Sequence, residues 1–250
     1  MNYPGHIIQQ KEKDQTIVKA IQQQLNVRGC GPITVNGDFG PATYNAVVLF
    51  QTRFTDIHGT PLKPDGVVGP ITWTTLFNAD TTKVTQAPNA LLTAVLAVAA
   101  TQVGVMEVPP GSNSGPIVNK YQDAAGIPHG LSWCMAFVYW CFNQASTQLN
   151  IANPMYKTGG VLDEWGNTHG TKITAADAHV NTSKVLPGQI FIIATGGGHG
   201  HTGLIESIEG GLLTTIEGNT NTDGSSNGIG VFRRSKRTIN SINTGFIQFG

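Results

Sequence analysis

Four residues in the second half of the chain have the types that nucleophilic catalysis uses, and they are Cys134, His201, Glu217 and Asn219. Ser132 is a suitable helix cap, which places the Cys134 thiol in the first turn of the apolar segment CMAFVYWCF. Unpaired amides and the helix dipole favour the nucleophilic thiolate there. The alternative is that Cys134 is a small buried apolar residue. On the helix alone, the two interpretations are comparable.

A cysteine nucleophile needs a base, and the chain has 7 histidines. His201 begins an apolar strand pattern that can hold its ring, whereas His199 lies in a glycine-rich loop and is the reserve candidate. The next strand carries Glu217 and Asn219, which alternation places on one face. If the two strands pair, a carboxylate and an amide lie within reach of the imidazole. A solvated strand end is the alternative for Glu217.

The other cysteines are given no part in this chemistry. Cys141 lies two turns further along the same helix face and is expected in the core, and Cys30 belongs to the N-terminal region. The histidines and cysteines do not have zinc-ligand spacing, so no metal is expected. No organic cofactor is required either.

The composition excludes several classes of protein. With 15 Lys+Arg, 15 Asp+Glu and a formal net charge of +0, the chain has no basic excess for nucleic acid or an anionic membrane surface. The N-terminus lacks a signal-peptide pattern, and the most apolar segment, residues 90–100, is too short to cross a bilayer. We therefore expect a protein made in the cytoplasm without a leader.

Residues 14–78 have the pattern of a small three-helix domain. Val18, Ile21 and Leu25 have the spacing of one helical face. The segments NGDFGPAT and DGVVGPIT form an internal near-repeat, in which a glycine turn is followed by a Gly-Pro pair that starts a helix. These features predict an all-α three-helix bundle within residues 1–80.

The segments VKAIQQQL, NGDFGPAT, AVVLFQ, DGVVGPITW and TLF resemble the peptidoglycan-binding domain found on many bacterial cell-wall hydrolases. The resemblance implies binding to the cell-wall polymer. Residues 52–62 depart from it, because this connection is longer than usual. Residues 81–89 are polar and aperiodic, which predicts a linker to a second domain at residues 90–250.

Residues 90–250 show helical patterns first and strand patterns afterwards, which favours an α+β fold with an antiparallel sheet packed on helices. The ordered motifs SWCMAFVYWC, GHTGLI and IEGNTN resemble the CHAP family of papain-related cysteine amidases and peptidases. This resemblance implies that Cys134 is the nucleophile and His201 the general base. It also implies that Glu217 orients His201 and that Asn219 assists.

Together, the two resemblances imply a peptidoglycan hydrolase that acts as a monomer on the wall, in the periplasm or outside the cell. We favour an N-acetylmuramoyl-L-alanine amidase. The alternatives are an endopeptidase that cuts the stem peptide or cross-bridge, and a non-catalytic wall-binding protein. Without a leader, such a hydrolase fits a phage endolysin or an antibacterial effector injected by a secretion system. An effector would imply a cognate immunity protein as a partner.

Overall fold

The computed structural model describes residues 1–78, 83–180, 182–209, 212–221 and 228–250. This part of the chain forms two compact units, the first mainly from residues before position 79 and the second mainly from residues after position 82. Positions 81 and 82 of the predicted linker lie outside the described residues, and the domain boundaries stay predictions. No helix in the described ranges is long and apolar enough to cross a membrane.

The first unit contains the three predicted helices, α1 (Gln15–Val27), α2 (Pro41–Arg53) and α3 (Pro70–Phe77). A proline begins α2 and α3, where its missing N–H would have no helical partner. The predicted apolar face of α1 is confirmed, because its three residues are fully buried: Val18, Ile21 and Leu25.

The near-repeat in the sequence folds into two copies of one hydrogen-bonded turn. In each copy, a buried glutamine amide donates to a threonine hydroxyl 21 residues later, at 2.9 and 3.2 Å. Each amide oxygen also accepts from a glycine N–H 15 residues later, at 2.9 Å in both copies. The partners are Thr43 and Gly37 for Gln22, and Thr72 and Gly66 for Gln51.

The second unit combines helices with one six-stranded sheet in the order β1-β6-β2-β3-β4-β5, which confirms the α+β prediction. Four helices precede the sheet and α8 lies between β1 and β2. The helices are α4 (Ala90–Thr101), α5 (Val118–Ala125), α6 (Cys134–Gln148), α7 (Val161–Asn167) and α8 (Ala175–Val180). The strands are β1 (Thr171–Thr174), β2 (Ile190–Gly196), β3 (His199–Glu209), β4 (Leu212–Thr220), β5 (Gly230–Thr238) and β6 (Gly245–Gln248).

Strand β1 was not predicted from the sequence. It pairs antiparallel with β6, with Thr171 opposite Gln248. The strand has four residues, and Ile173 is its one buried position. A pattern this short has no readable period, so only the pairing with β6 defines it.

The N-terminus of α6 lies directly against the sheet. The helix is apolar and packs against α4, α5 and β4. A Cβ atom on Gly218 of β4 would lie 2.7 Å from the Cβ of Phe137 and 2.8 Å from the Trp133 ring. A glycine at this position therefore lets the helix approach the strands that carry the other candidate residues.

Candidate active site

Cys134 is the first residue of α6 and is 4% exposed. Its Sγ lies 4.0 Å from the carbonyl oxygen of Gly200, so the start of the helix faces the start of β3. The predicted first-turn position is confirmed, but the predicted cap is wrong. The N-cap is Trp133 rather than Ser132, and it makes no side-chain capping bond.

Tertiary packing explains where α6 begins. The Trp133 indole is fully buried, and its Nε1 donates to Glu107 Oε1 at 2.8 Å. This anchor fixes the backbone immediately before Cys134. Local capping propensity therefore does not decide the first residue of the helix.

His201 lies on β3 and is 2% exposed. Its Nε2 is 2.7 Å from Glu217 Oε2, while Nδ1 is buried and has no hydrogen bond of good geometry to any described residue. Burial opposes protonation of the ring, but interactions with Cys134 and then Glu217 outweigh it and raise the pKa of His201 to about 9. The imidazole thus interacts with the thiol and with the carboxylate.

Glu217 lies on β4, is fully buried and is surrounded by donors. Its Oε1 accepts from the Thr215 hydroxyl at 2.5 Å and from Arg237 Nε at 2.9 Å. Its Oε2 accepts from Arg237 Nη2 at 2.9 Å and Arg234 Nη1 at 3.2 Å, in addition to His201. Burial alone would raise the pKa of Glu217, but hydrogen bonds from His201 and Arg237 hold it well below its usual range.

The glycine of the GHTGLI motif has a steric role in this arrangement. A Cβ atom on Gly203 would lie 2.7 Å from Glu217 Cγ and 2.8 Å from the carbonyl oxygen of Ile216. The missing side chain leaves room for the Glu217 side chain beside β3. The motif therefore supplies a base and also the space for the group that orients it.

Asn219 lies beyond a register shift that follows Glu217, and its φ is 53°. This irregularity breaks the strand alternation predicted to place both side chains on one face. When its amide is oriented to satisfy its neighbours, the oxygen accepts from the backbone N–H of Trp133 at 3.2 Å. The amide nitrogen then donates to Gly228 O at 2.8 Å and Asn113 Oδ1 at 3.2 Å. That Asn219 assists the His201 imidazole stays a prediction. The contact with Trp133 instead connects the Asn219 amide to the start of α6.

The remaining sequence candidates take no part in the hydrogen bonds described above. His199 is exposed at the first position of β3. Cys141 is fully buried, as predicted, and burial raises the pKa of its thiol. Cys30 is buried in the first unit. Within the described ranges, no group of three or more His, Cys, Asp or Glu side chains is placed to hold a metal ion.

The sequence reasoning missed the two arginines of β5. Arg234 and Arg237 follow Glu217 by 17 and 20 residues and reach it across the β4–β5 pair. The available signal was a run of basic residues, Arg233 to Arg237, that follows the Glu217 segment. Without the strand register, however, the side of the sheet that each one faces could not be assigned.

Glu164 on α7 is a second fully buried carboxyl group that the sequence did not single out. Neither of its oxygens makes a hydrogen bond of good geometry to a described residue, although Thr168 and the backbone of Tyr156 approach it. Burial raises the pKa of Glu164 to about 7.

Two known families match different parts of the chain. Residues 14–76 match a peptidoglycan binding domain, and residues 126–219 match the CHAP domain, a range that includes Cys134, His201, Glu217 and Asn219.

One curated relative is a Kitasatospora aureofaciens protein whose name is "Uncharacterized protein in bpoA1 3'region". It is 49% identical over 61 residues, which make up 24% of this chain and 46% of that protein. The match therefore spans less than half of that relative. No solved structure matches the chain. From the two family matches, the chain carries an N-terminal peptidoglycan-binding domain followed by a CHAP domain.

Proposed function

We propose that this protein hydrolyses an amide bond in peptidoglycan, with the N-terminal domain binding the polymer and the CHAP domain cutting it. The observation that supports this function is the series Cys134, His201, Glu217. The series places an imidazole in interaction with a thiol at a helix N-terminus and 2.7 Å from a buried carboxylate. A nucleophile, a base and a group that orients the base follow one another in the order that acyl transfer needs.

In the resting enzyme, His201 is protonated at neutral pH because its pKa is raised to about 9. An imidazolium beside a thiol at a helix N-terminus favours the thiolate. The Glu217 carboxylate holds the ring through Nε2, which leaves Nδ1 as the nitrogen that can exchange a proton with Cys134. The reactive form in this mechanism is a thiolate paired with an imidazolium.

In the first half of the reaction, the Cys134 thiolate attacks the amide carbonyl and forms a carbon–sulfur bond. The backbone N–H of Cys134, the first residue of α6, has no helical partner and can donate to the oxyanion. Imidazolium then gives its proton to the amide nitrogen, the carbon–nitrogen bond breaks and the amine leaves. The product bound to the enzyme is a thioester.

In the second half, neutral His201 takes a proton from water as the water attacks the thioester. The carbon–sulfur bond breaks, the carboxylic acid leaves, and the thiolate and imidazolium are restored. Each half therefore uses the same imidazole, first as an acid and then as a base.

Muropeptides released from purified sacculi identify the bond that is cut. We propose the bond between N-acetylmuramic acid and L-alanine, for which mass spectrometry should find free stem peptides and glycan strands without them. Shortened stems or separated cross-links on intact muramoyl peptides would assign the activity to an endopeptidase instead. Absence of any new product would overturn the hydrolase proposal.

Replacement of the nucleophile is the most direct test of the mechanism. We expect Cys134→Ala to abolish turbidity loss of sacculi while binding to sacculi is retained. Cys30→Ala, which removes a buried thiol from the other unit, is the matched control and should remain active. Iodoacetamide at neutral pH should alkylate Cys134 rapidly, whereas an inert thiol would favour a non-catalytic binding protein.

A further inference from the structure

We propose that Arg237 is a positioning residue of this catalytic centre. Its guanidinium holds Glu217 through two hydrogen bonds and thereby fixes the charge and the orientation of the carboxylate that aligns His201. This inference rests on the catalytic role proposed above for His201. Neither the sequence motifs nor the CHAP match, which ends at residue 219, includes Arg237.

Arg237 makes the most extensive contact with the carboxylate. Its Nε and Nη2 each lie 2.9 Å from a different oxygen of Glu217, which is the forked geometry that a guanidinium forms with a carboxylate. Arg234, by comparison, contributes one nitrogen at 3.2 Å. The side chain of Arg237 is 11% exposed, against 20% for Arg234.

A third contact fixes the guanidinium itself. Its Cζ lies 4.7 Å from the centroid of the Phe191 ring on β2, within the range of a cation–π interaction. The Phe191 ring is in turn 5.9 Å from the His201 ring. Arg237 is therefore held by an aromatic face on one side and by the carboxylate on the other, close to the imidazole.

Two catalytic requirements explain why this contact matters. A fully buried carboxyl without cations takes up a proton, as the elevated pKa of Glu164 illustrates. A protonated Glu217 would no longer stabilise an imidazolium at Nε2. A carboxylate that rotates would also let the His201 ring turn away from Cys134. One forked contact prevents both the protonation and the rotation.

Described side chains from β3, β4 and β5 contact the Glu217 carboxylate. Among the described residues, the charged or titratable groups are His201 from β3 and Arg234 and Arg237 from β5, and Thr215 adds a neutral hydroxyl from β4. A change in charge at position 237 therefore acts on the Glu217 carboxylate and on these neighbouring groups. Its effect on pH dependence reaches the His201 ring through the Glu217 carboxylate.

Alkylation of Cys134 by iodoacetamide between pH 4 and 9 tests the proposal without knowledge of the scissile bond. We expect Arg237→Gln to move the acid limb of the rate profile upward by about one pH unit, because a carboxylate that has lost its forked cation holds the protonated His201 ring beside Cys134 less firmly. The plateau rate should fall about tenfold. Arg237→Lys, which keeps the charge but not the fork, should give an intermediate profile.

Arg233→Gln is the matched control, because Arg233 lies on the same strand and pairs with Glu206 instead of Glu217. Its profile should coincide with that of wild type. If the alkylation rate of Arg237→Gln is lower by the same factor at every pH, the role of Arg237 is merely structural and the proposal is overturned. An unchanged profile would also overturn it. If Arg237→Gln does not fold, a wild-type rate and profile for Arg237→Lys would overturn it.

The inference and the proposed function can fail separately. A shifted Arg237→Gln alkylation profile in a protein that releases nothing from sacculi supports the positioning role and overturns the hydrolase assignment. If the wild-type protein releases muropeptides from sacculi but the Arg237→Gln alkylation profile is not shifted, the positioning role is overturned and the hydrolase assignment is supported.

Discussion

The second unit contains two fully buried glutamates, Glu217 and Glu164, whose pKa values are shifted in opposite directions. Glu217 accepts hydrogen bonds from four residues, and its pKa lies well below the usual range. Glu164 has no hydrogen bond of good geometry to a described residue, and burial raises its pKa to about 7. The same side chain at the same exposure is therefore an anion in one place and largely neutral below pH 7 in the other.

Hydrogen-bond donors, and not burial, therefore decide the direction in which the pKa of each of these carboxyl groups is shifted. Desolvation acts in the same direction on both glutamates, because burial favours the protonated, neutral carboxyl and so raises the pKa. At Glu217 it is exceeded by cationic donors on two neighbouring strands, whereas at Glu164 nothing comparable opposes it. A buried glutamate is thus a candidate for an orienting role only when its partners are known.

The largest expected effect in this comparison comes from Glu217→Gln. The amide keeps the shape of the side chain but removes the buried negative charge that the Arg237 guanidinium contacts, so we expect a loss of about 3 kcal/mol in unfolding free energy. Activity on sacculi should fall by about 100-fold and not to zero, because orienting groups contribute less than nucleophiles. Urea unfolding and initial lysis rates measure the two losses.

Glu164→Gln is the matched control for that experiment, because it replaces an equally buried carboxyl on α7. It should retain wild-type lysis rates. Equal losses of activity in both variants would show that any buried carboxyl of this unit supports the fold and that Glu217 has no special role.

The sequence could predict the parts of the site that depend on local patterns. The apolar helix around Cys134, the strand that starts near His201 and the strand that ends near Glu217 all have readable periods, and the structure contains all three. The pattern also indicated which residues form the α1 core face. These predictions succeed because each depends on side chains a few positions apart.

The missed features depend on contacts between distant segments. The start of α6 is set by the Trp133–Glu107 hydrogen bond across 26 residues, and so the capping residue was assigned wrongly. The register shift beyond Glu217 turns Asn219 out of the predicted alternation. The arginine contacts to the carboxylate depend on the pairing of β4 with β5. No local pattern specifies an inter-strand register, a bulge or a tertiary anchor.

The second expected effect is a difference in pH dependence. Because the folded-state pKa of Glu164 is raised to about 7, its contribution to stability is complete below the ordinary glutamate pKa of 4.5 and is lost as pH rises through about 7. The Tm of the wild-type protein should therefore fall by about 5 °C across this range relative to Glu164→Gln. Fluorescence of Trp133, Trp140 and Trp165 follows the second unit.

His201 does not obscure this comparison, since both proteins contain it. Its folded-state pKa is raised from 6.5 to about 9, so its own contribution is complete below pH 6.5 and is lost as pH rises through 9. Parallel Tm curves for wild type and Glu164→Gln between pH 4.5 and 7 would mean that Glu164 is ionised in the folded protein. The contrast with Glu217 would then disappear.

The smallest expected effect comes from Thr215→Val, which removes one neutral donor from Glu217 and keeps a β-branched side chain on β4. The carboxylate keeps its bonds from His201 and Arg237, so we expect a loss of about 1 kcal/mol in unfolding free energy and less than a tenfold loss of lysis rate. The acid limb of the pH–rate profile should stay in place, because no charge is removed. A limb that moved as far as in Arg237→Gln would show that the hydroxyl, and not the guanidinium, keeps Glu217 ionised.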